Sequence, residues 1–126
     1  MNITGNWLNL CVADLKQSEA FYDKIGFEIK KNAEMLDKML GVQTADGHII
    51  MLIEQQQFKK AANVNDTTNH GALVSVSVST NEEVDELLTL VDDTNGKVLQ
   101  RGTKLEGYYG GLFSDPDGNR FNIIAM

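Results

Sequence analysis

The sequence predicts an α+β fold made of two βαβββ repeats forming a curved mixed sheet. Two observations carry that prediction. Helix caps, stop glycines and hairpin turns recur in the same order in both halves of the chain. Period-2 and period-3.6 apolar patterns alternate between them in a matching sequence.

The first repeat is read over about residues 5–56. Residues 7–13 (WLNLCVA) read as a strand. Asp14 is a candidate N-cap, with Gln17 at the third helical position. Leu15, Ser18, Phe21, Tyr22 and Ile25 form a mostly apolar helical stripe, and Gly26 ends it as a left-handed cap. Strand-like FEIKK follows, then Met39–Thr44. An Asp46-Gly47 turn leads into the apolar run His48–Glu54, a hairpin signal. The polar stretch from Gln55 to His70 reads as a linker, counted as about residues 57–70 between the repeats.

The second repeat is read over about residues 71–126. Ala72–Ser79 alternates as a strand. Thr80 and Glu83 form a T-x-x-E capping box. Val84, Leu87, Leu88 and Val91 mark an apolar helix face, closed by Asn95-Gly96. Strand Lys97–Arg101, the Gly-rich segment Tyr108–Gly111, Leu112–Ser114, the Asp115-Pro116-Asp117-Gly118 turn and strand Arg120–Met126 complete it. Val12 and Val78 lie 66 residues apart, Gly26 and Gly96 70, and Asp46-Gly47 and Asp117-Gly118 71. The whole chain, 1–126, is expected to act as a single domain.

Composition narrows the function classes. Net charge is −7, and no basic patch exists to neutralise phosphates, which excludes nucleic acid as a partner. No apolar run is long enough to span a bilayer, so no membrane partner is expected. The N-terminus has no signal-peptide pattern, and the lone Cys11 permits no internal disulfide. These features predict a cytoplasmic protein.

The motifs NLCVADLKQSEAFYDKIGFEI and FSDPDGNRFNII resemble the opening and closing signatures of the vicinal oxygen chelate superfamily. That group comprises glyoxalase I, extradiol dioxygenases, and fosfomycin and bleomycin resistance proteins. The opening V-x-D-L-x-x-S-x-x-F-Y and the following G-F fall on Val12, Asp14, Leu15, Ser18, Phe21, Tyr22, Gly26 and Phe27. A finer likeness, through Met51–Glu54 with Phe58 and through Thr80–Leu87, is to uncharacterised bacterial single-domain proteins of the glyoxalase/bleomycin resistance type. The resemblance implies a homodimer. It also implies four metal-ligand positions, two per repeat. The motif spacing puts two of these on Trp7 and Asn122, and the repeat offsets carry them to Leu73 and Met51.

Trp7, Met51, Leu73 and Asn122 are poor ligands for a divalent ion. Trp and Leu offer no lone pair, Met suits copper(I), and Asn has one neutral carbonyl oxygen. The expectation is therefore no metal and no cofactor, with a small organic molecule as partner. Its cavity would be lined by Trp7, Met51, Leu73, Tyr108 or Tyr109, Phe113 and Asn122, with catalytic residues unassigned. Alternation sends one of the two tyrosines inward. Bleomycin resistance proteins are the family precedent for sequestration without a metal.

Two alternatives stand beside this reading. One is a lyase- or dioxygenase-like enzyme with non-standard metal ligands or acid–base residues in the same cavity. The other is an interaction module whose cavity is filled by Trp7 and Met51. Other chemistry-bearing residues have bland readings. Cys11 reads as a structural thiol facing the helix. His48 reads as exposed, with His70 at the end of the linker. Glu54 reads as a solvent carboxylate. Asp115 and Asp117 read as turn formers, and Glu106 flanks the Gly-rich stretch.

Overall fold

The computed structural model describes residues 1–3, 5–67, 71–105 and 107–126, with the side chain of Leu105 left aside. The chain divides into two compact units, Met1–Thr67 and Thr68–Met126.

The first unit runs β1 (Leu8–Val12), α1 (Leu15–Ile25), β2 (Glu28–Lys30), β3 (Met39–Gln43), β4 (Ile49–Glu54) and α2 (Gln55–Ala62). Its sheet has the order β1-β4-β3-β2. The β1–β4 pair is parallel, and β4–β3 and β3–β2 are antiparallel. The helix α1 starts where the Asp14 carboxylate accepts the Lys16 and Gln17 N–H groups. It stops at Gly26, whose φ of 112° is open mainly to glycine. Its inner face buries Ser18, Phe21, Tyr22 and Ile25 against Leu10, Val12, Leu40, Val42 and Leu52. Edge-to-face rings, Phe21–Tyr22 at 5.0 Å and Tyr22–Phe27 at 5.4 Å, lock this layer.

The second unit runs β5 (Leu73–Val78), α3 (Asn81–Asp92), β6 (Lys97–Leu105), β7 (Tyr108–Ser114) and β8 (Arg120–Ala125). Its sheet order, β5-β8-β7-β6, repeats the first unit element for element. Register confirms the offsets: Asn9 faces Met51 across β1–β4, as Ser75 faces Asn122 across β5–β8. Thr80 Oγ1 accepts the Glu83 N–H at 3.1 Å and donates to its carboxylate at 3.0 Å. Val84, Leu88 and Val91 on α3 are buried with Phe113, Phe121 and Ile123. The predicted α+β class with two βαβββ units thus holds, as two four-stranded mixed sheets and three helices among the described residues.

Three local readings are corrected. Residues 55–62, read as the start of a linker, form α2. The Glu54 carboxylate caps it by accepting the Gln56 and Gln57 N–H groups, and Phe58, Ala61 and Ala62 give it an apolar stripe. The polar residues around that short stripe hid it. Asn95-Gly96 does not end α3, which stops at Asp92. There Thr94 Oγ1 donates to the Val91 carbonyl and accepts the Gly96 N–H, so a side chain replaces the left-handed glycine. The strand read as Lys97–Arg101 continues to Leu105, with register shifts along its pairing to β7.

Candidate functional site

In each unit one sheet face lies under a βαβ helix and the other does not. On the α1-free face of the first sheet stand Asn9 and Cys11 from β1, Met51 and Ile53 from β4, and Met39 and Gly41 from β3. Cys11 therefore does not face the helix, because it shares the parity of Asn9 and pairs with Ile53.

A groove of about 900 Å³ opens on this face. Its sheet side is formed by Trp7, Asn9, Met39, Ile49, Met51 and Ile53. Its opposite wall is α2, through Gln57, Phe58, Ala61 and Ala62. None of these side chains is ionisable, and Asn9 and Gln57 are the polar ones. The volume falls in the range of small-molecule sites. Trp7 stands at the edge of the groove and remains 71% exposed, so it does not fill it. A second lobe of about 290 Å³ adjoins across Met39, Ile49 and Met51 and reaches Gly41, Lys30, Lys31 and Asn32.

Of the residues expected to line a cavity, Trp7 and Met51 meet in this groove. The others belong to the second unit. Leu73, Tyr108 and Asn122 lie on its α3-free face. Leu73 is 56% exposed, and the buried Asn122 Oδ1 has no hydrogen-bond partner. Phe113, expected on a cavity wall, is instead fully buried on the α3 side, stacked on Phe121 at 5.1 Å. Strand parity decides this, since Phe113 faces Phe121 while its neighbour Leu112 faces Asn122. Tyr109 is also on the α3 side, where its hydroxyl donates to Asp85 at 2.7 Å. That hydrogen bond, with the negative charges of Asp85 and Glu82, pushes the phenol above its ordinary range. Tyr108 is the tyrosine on the open face.

The bland readings fare differently. Glu54, read as a strand-end solvent carboxylate, ends β4 half-buried and is also the N-cap of α2. Asp115 is 2% exposed and forms its turn by accepting the Asp117 and Asn119 N–H groups and the Asn119 side-chain amide. His48 is exposed on the hairpin turn, with Nδ1 2.8 Å from the Asp46 carboxylate. Hydrogen bonds from Thr44 and then His48 hold Asp46 well below the usual carboxylate range. His70 and Glu106 lie outside the described residues. Sequence reading missed α2 as a wall and Gly41 as part of the floor. The i, i+3, i+4 spacing of Phe58, Ala61 and Ala62 was the available signal for the first.

The residues present do not fit a divalent ion. The groove offers two neutral amides and thioether sulfurs, and in the second unit, taken by itself, Leu73 and Asn122 hold one neutral carbonyl oxygen. Among the described residues, no group of three His, Cys, Asp or Glu side chains gathers to hold a metal.

Two sheets of order 1-4-3-2, each built as βαβββ, define the glyoxalase-like class of α+β folds. The family model for the Glyoxalase/Bleomycin resistance protein/Dioxygenase superfamily matches residues 5–123, and the chain belongs to that family. It is similar to the hypothetical protein SA1046 from S. aureus, at 36% identity and a TM-score of 0.91, over 100% of this chain and 96% of that one. A glyoxalase-related enzyme from Fulvimarina pelagi shares 20% identity and a TM-score of 0.84, over 98% and 88% of the two chains. A glyoxalase/bleomycin resistance protein/dioxygenase family enzyme from Burkholderia phytofirmans PsJN shares 20% identity and a TM-score of 0.80, over 94% and 95%. The last two likenesses show the fold alone. No curated protein matches the sequence. No described helix is long and apolar enough to cross a membrane.

Proposed function

We propose that this chain, acting as a single domain over residues 1–126, binds a small organic molecule without a metal ion. The observation that carries the reading is the pairing of Trp7 and Met51 in one uncharged groove of about 900 Å³. The motif resemblance and the repeat offset put expected metal-ligand positions on these two residues, and neither donates to a hard divalent ion. What they supply is an indole face and a polarisable thioether, which suit an apolar or aromatic ligand body. Asn9 and Gln57 supply amide donors and acceptors for a polar group. In the second unit, the partnerless Asn122 Oδ1 and exposed Leu73 and Tyr108 support a part for that open face in binding. Phe113 has no such support. A cytoplasmic homodimer is part of the same proposal, checked by light scattering on the purified protein.

Elemental analysis of purified protein, with a thermal-shift titration of Zn, Ni, Mn and Fe(II), tests the metal-free reading. The expected result is substoichiometric metal and an unchanged melting temperature. Stoichiometric metal with a metal-dependent rise in melting temperature overturns it.

A further inference from the structure

One row of directly opposed residues crosses all four strands of the first sheet: Asn9 on β1, Met51 on β4, Gly41 on β3 and Lys30 on β2. Three inter-strand steps make this row about 14 Å long. It runs along the floor of both lobes, which share Met39, Ile49 and Met51.

Gly41 is the critical point of the row. A Cβ there would lie 3.1 Å from Ile49 Cγ2, 3.4 Å from Lys30 Cβ and 3.5 Å from Met51 Sδ. Its backbone φ is not positive, so the turn chemistry that usually demands glycine is absent. Here the missing side chain lets Ile49, Lys30 and Met51 close over the backbone, so a side chain added at Gly41 would push on residues that line the lobes.

The two ends differ in charge. The larger lobe has no ionisable side chain, and an ion buried there would go uncompensated. The smaller lobe is lined by Lys30, which stands on the groove face, and by Lys31, whose ammonium turns to the α1 side of the sheet. Each lysine has an ion-pair partner, Glu28 for Lys30 and Glu19 for Lys31, both at 2.7 Å. These pairs are solvent-exposed, so they hold weakly and can exchange for another anion.

We propose that the groove takes a free, single-chain aliphatic carboxylate of medium length. Its chain lies across Met51 beneath α2, and its carboxylate meets Lys30 in place of Glu28. This rests on the small-molecule reading above and names the ligand class for that site.

The sole tryptophan, Trp7, gives the readout. Decanoate, decanol, decylammonium and butyrate are titrated against intrinsic fluorescence, below their aggregation concentrations. Decanoate is expected to shift Trp7 emission and to bind at least tenfold more tightly than decylammonium or butyrate. Lys30→Ala should weaken decanoate more than decanol. Gly41→Leu should weaken decanoate at least tenfold, and Gly41→Ala, a smaller intrusion, should weaken it less. Equal binding of decanoate and decylammonium, or undiminished binding by folded Gly41 variants, overturns the carboxylate proposal and leaves the small-molecule reading standing. If neither the ten-carbon probes nor a hydrophobic dye perturbs Trp7, both fall.

Discussion

The Tyr109 hydroxyl donates to the Asp85 carboxylate at 2.7 Å, tying β7 to α3. Gly102 on β6 makes room for the pair, since a Cβ there would lie 2.6 Å from the Tyr109 hydroxyl oxygen. The neutral phenol is the form that donates, so its pKa rises in the folded protein. Stability from this group is therefore full below the ordinary phenol pKa of about 10 and is lost as pH rises through the folded value. A tyrosine-ring NMR titration, assigned with Tyr109→Phe, should place Tyr109 above the ordinary range. Asp85→Asn should bring it back down. An ordinary value in the wild-type protein would contradict the pairing.

Gly111→Ala should destabilise the fold. The added Cβ would lie 2.6 Å from Leu88 Cδ1 and 2.9 Å from the Gln100 carbonyl oxygen. Leu88 can turn away, but the β6 backbone cannot without shifting. Overpacking of this kind costs about 1–3 kcal/mol, read as a lowered urea midpoint.

Asp115→Ala should cost about 2 kcal/mol, because the Asp117 and Asn119 N–H groups lose their acceptor in a largely buried turn. Asp115→Asn keeps one carbonyl oxygen and should cost less. Equal losses in the two variants would mean that the negative charge, rather than the acceptor geometry, holds the turn.

Glu54→Ala should release α2 without unfolding the rest. No residue of α2 is fully buried, so its stability leans on the cap. Hydrogen exchange at the Gln56 and Gln57 amides should accelerate, while exchange at Leu52 stays slow. Uniform acceleration would show instead that α2 is an integral part of the first unit's core.

The sequence's legible parts were those written in local chemistry. Asp14, Gly26, Thr80 and Glu83 announce helix ends through their own backbone hydrogen bonds. The recurrence of Asp-Gly turns and strand spacing carried the register itself, so Met51 and Asn122 fell at equivalent positions opposite Asn9 and Ser75. The donor chemistry of Trp7, Met51, Leu73 and Asn122 is a property of the residue types and needs no geometry to read.

Other features depend on what lies across space. Alternation says that Tyr108 and Tyr109 face opposite ways, yet only Asp85 on α3 shows which one faces the helix. Phe113 looked like a cavity wall until its stacking on Phe121 placed it in the core. Short and polar, α2 becomes a wall only because its apolar stripe stands opposite the sheet face carrying Met51 and Ile53. Gly41 has no local signature, since it is needed for the close approach of Ile49, Met51 and Lys30 from the two neighbouring strands. Caps, turns and donor chemistry are properties of a few neighbouring residues, so the sequence alone determined them. The groove is shaped by contacts between distant residues, and only the tertiary structure decided it.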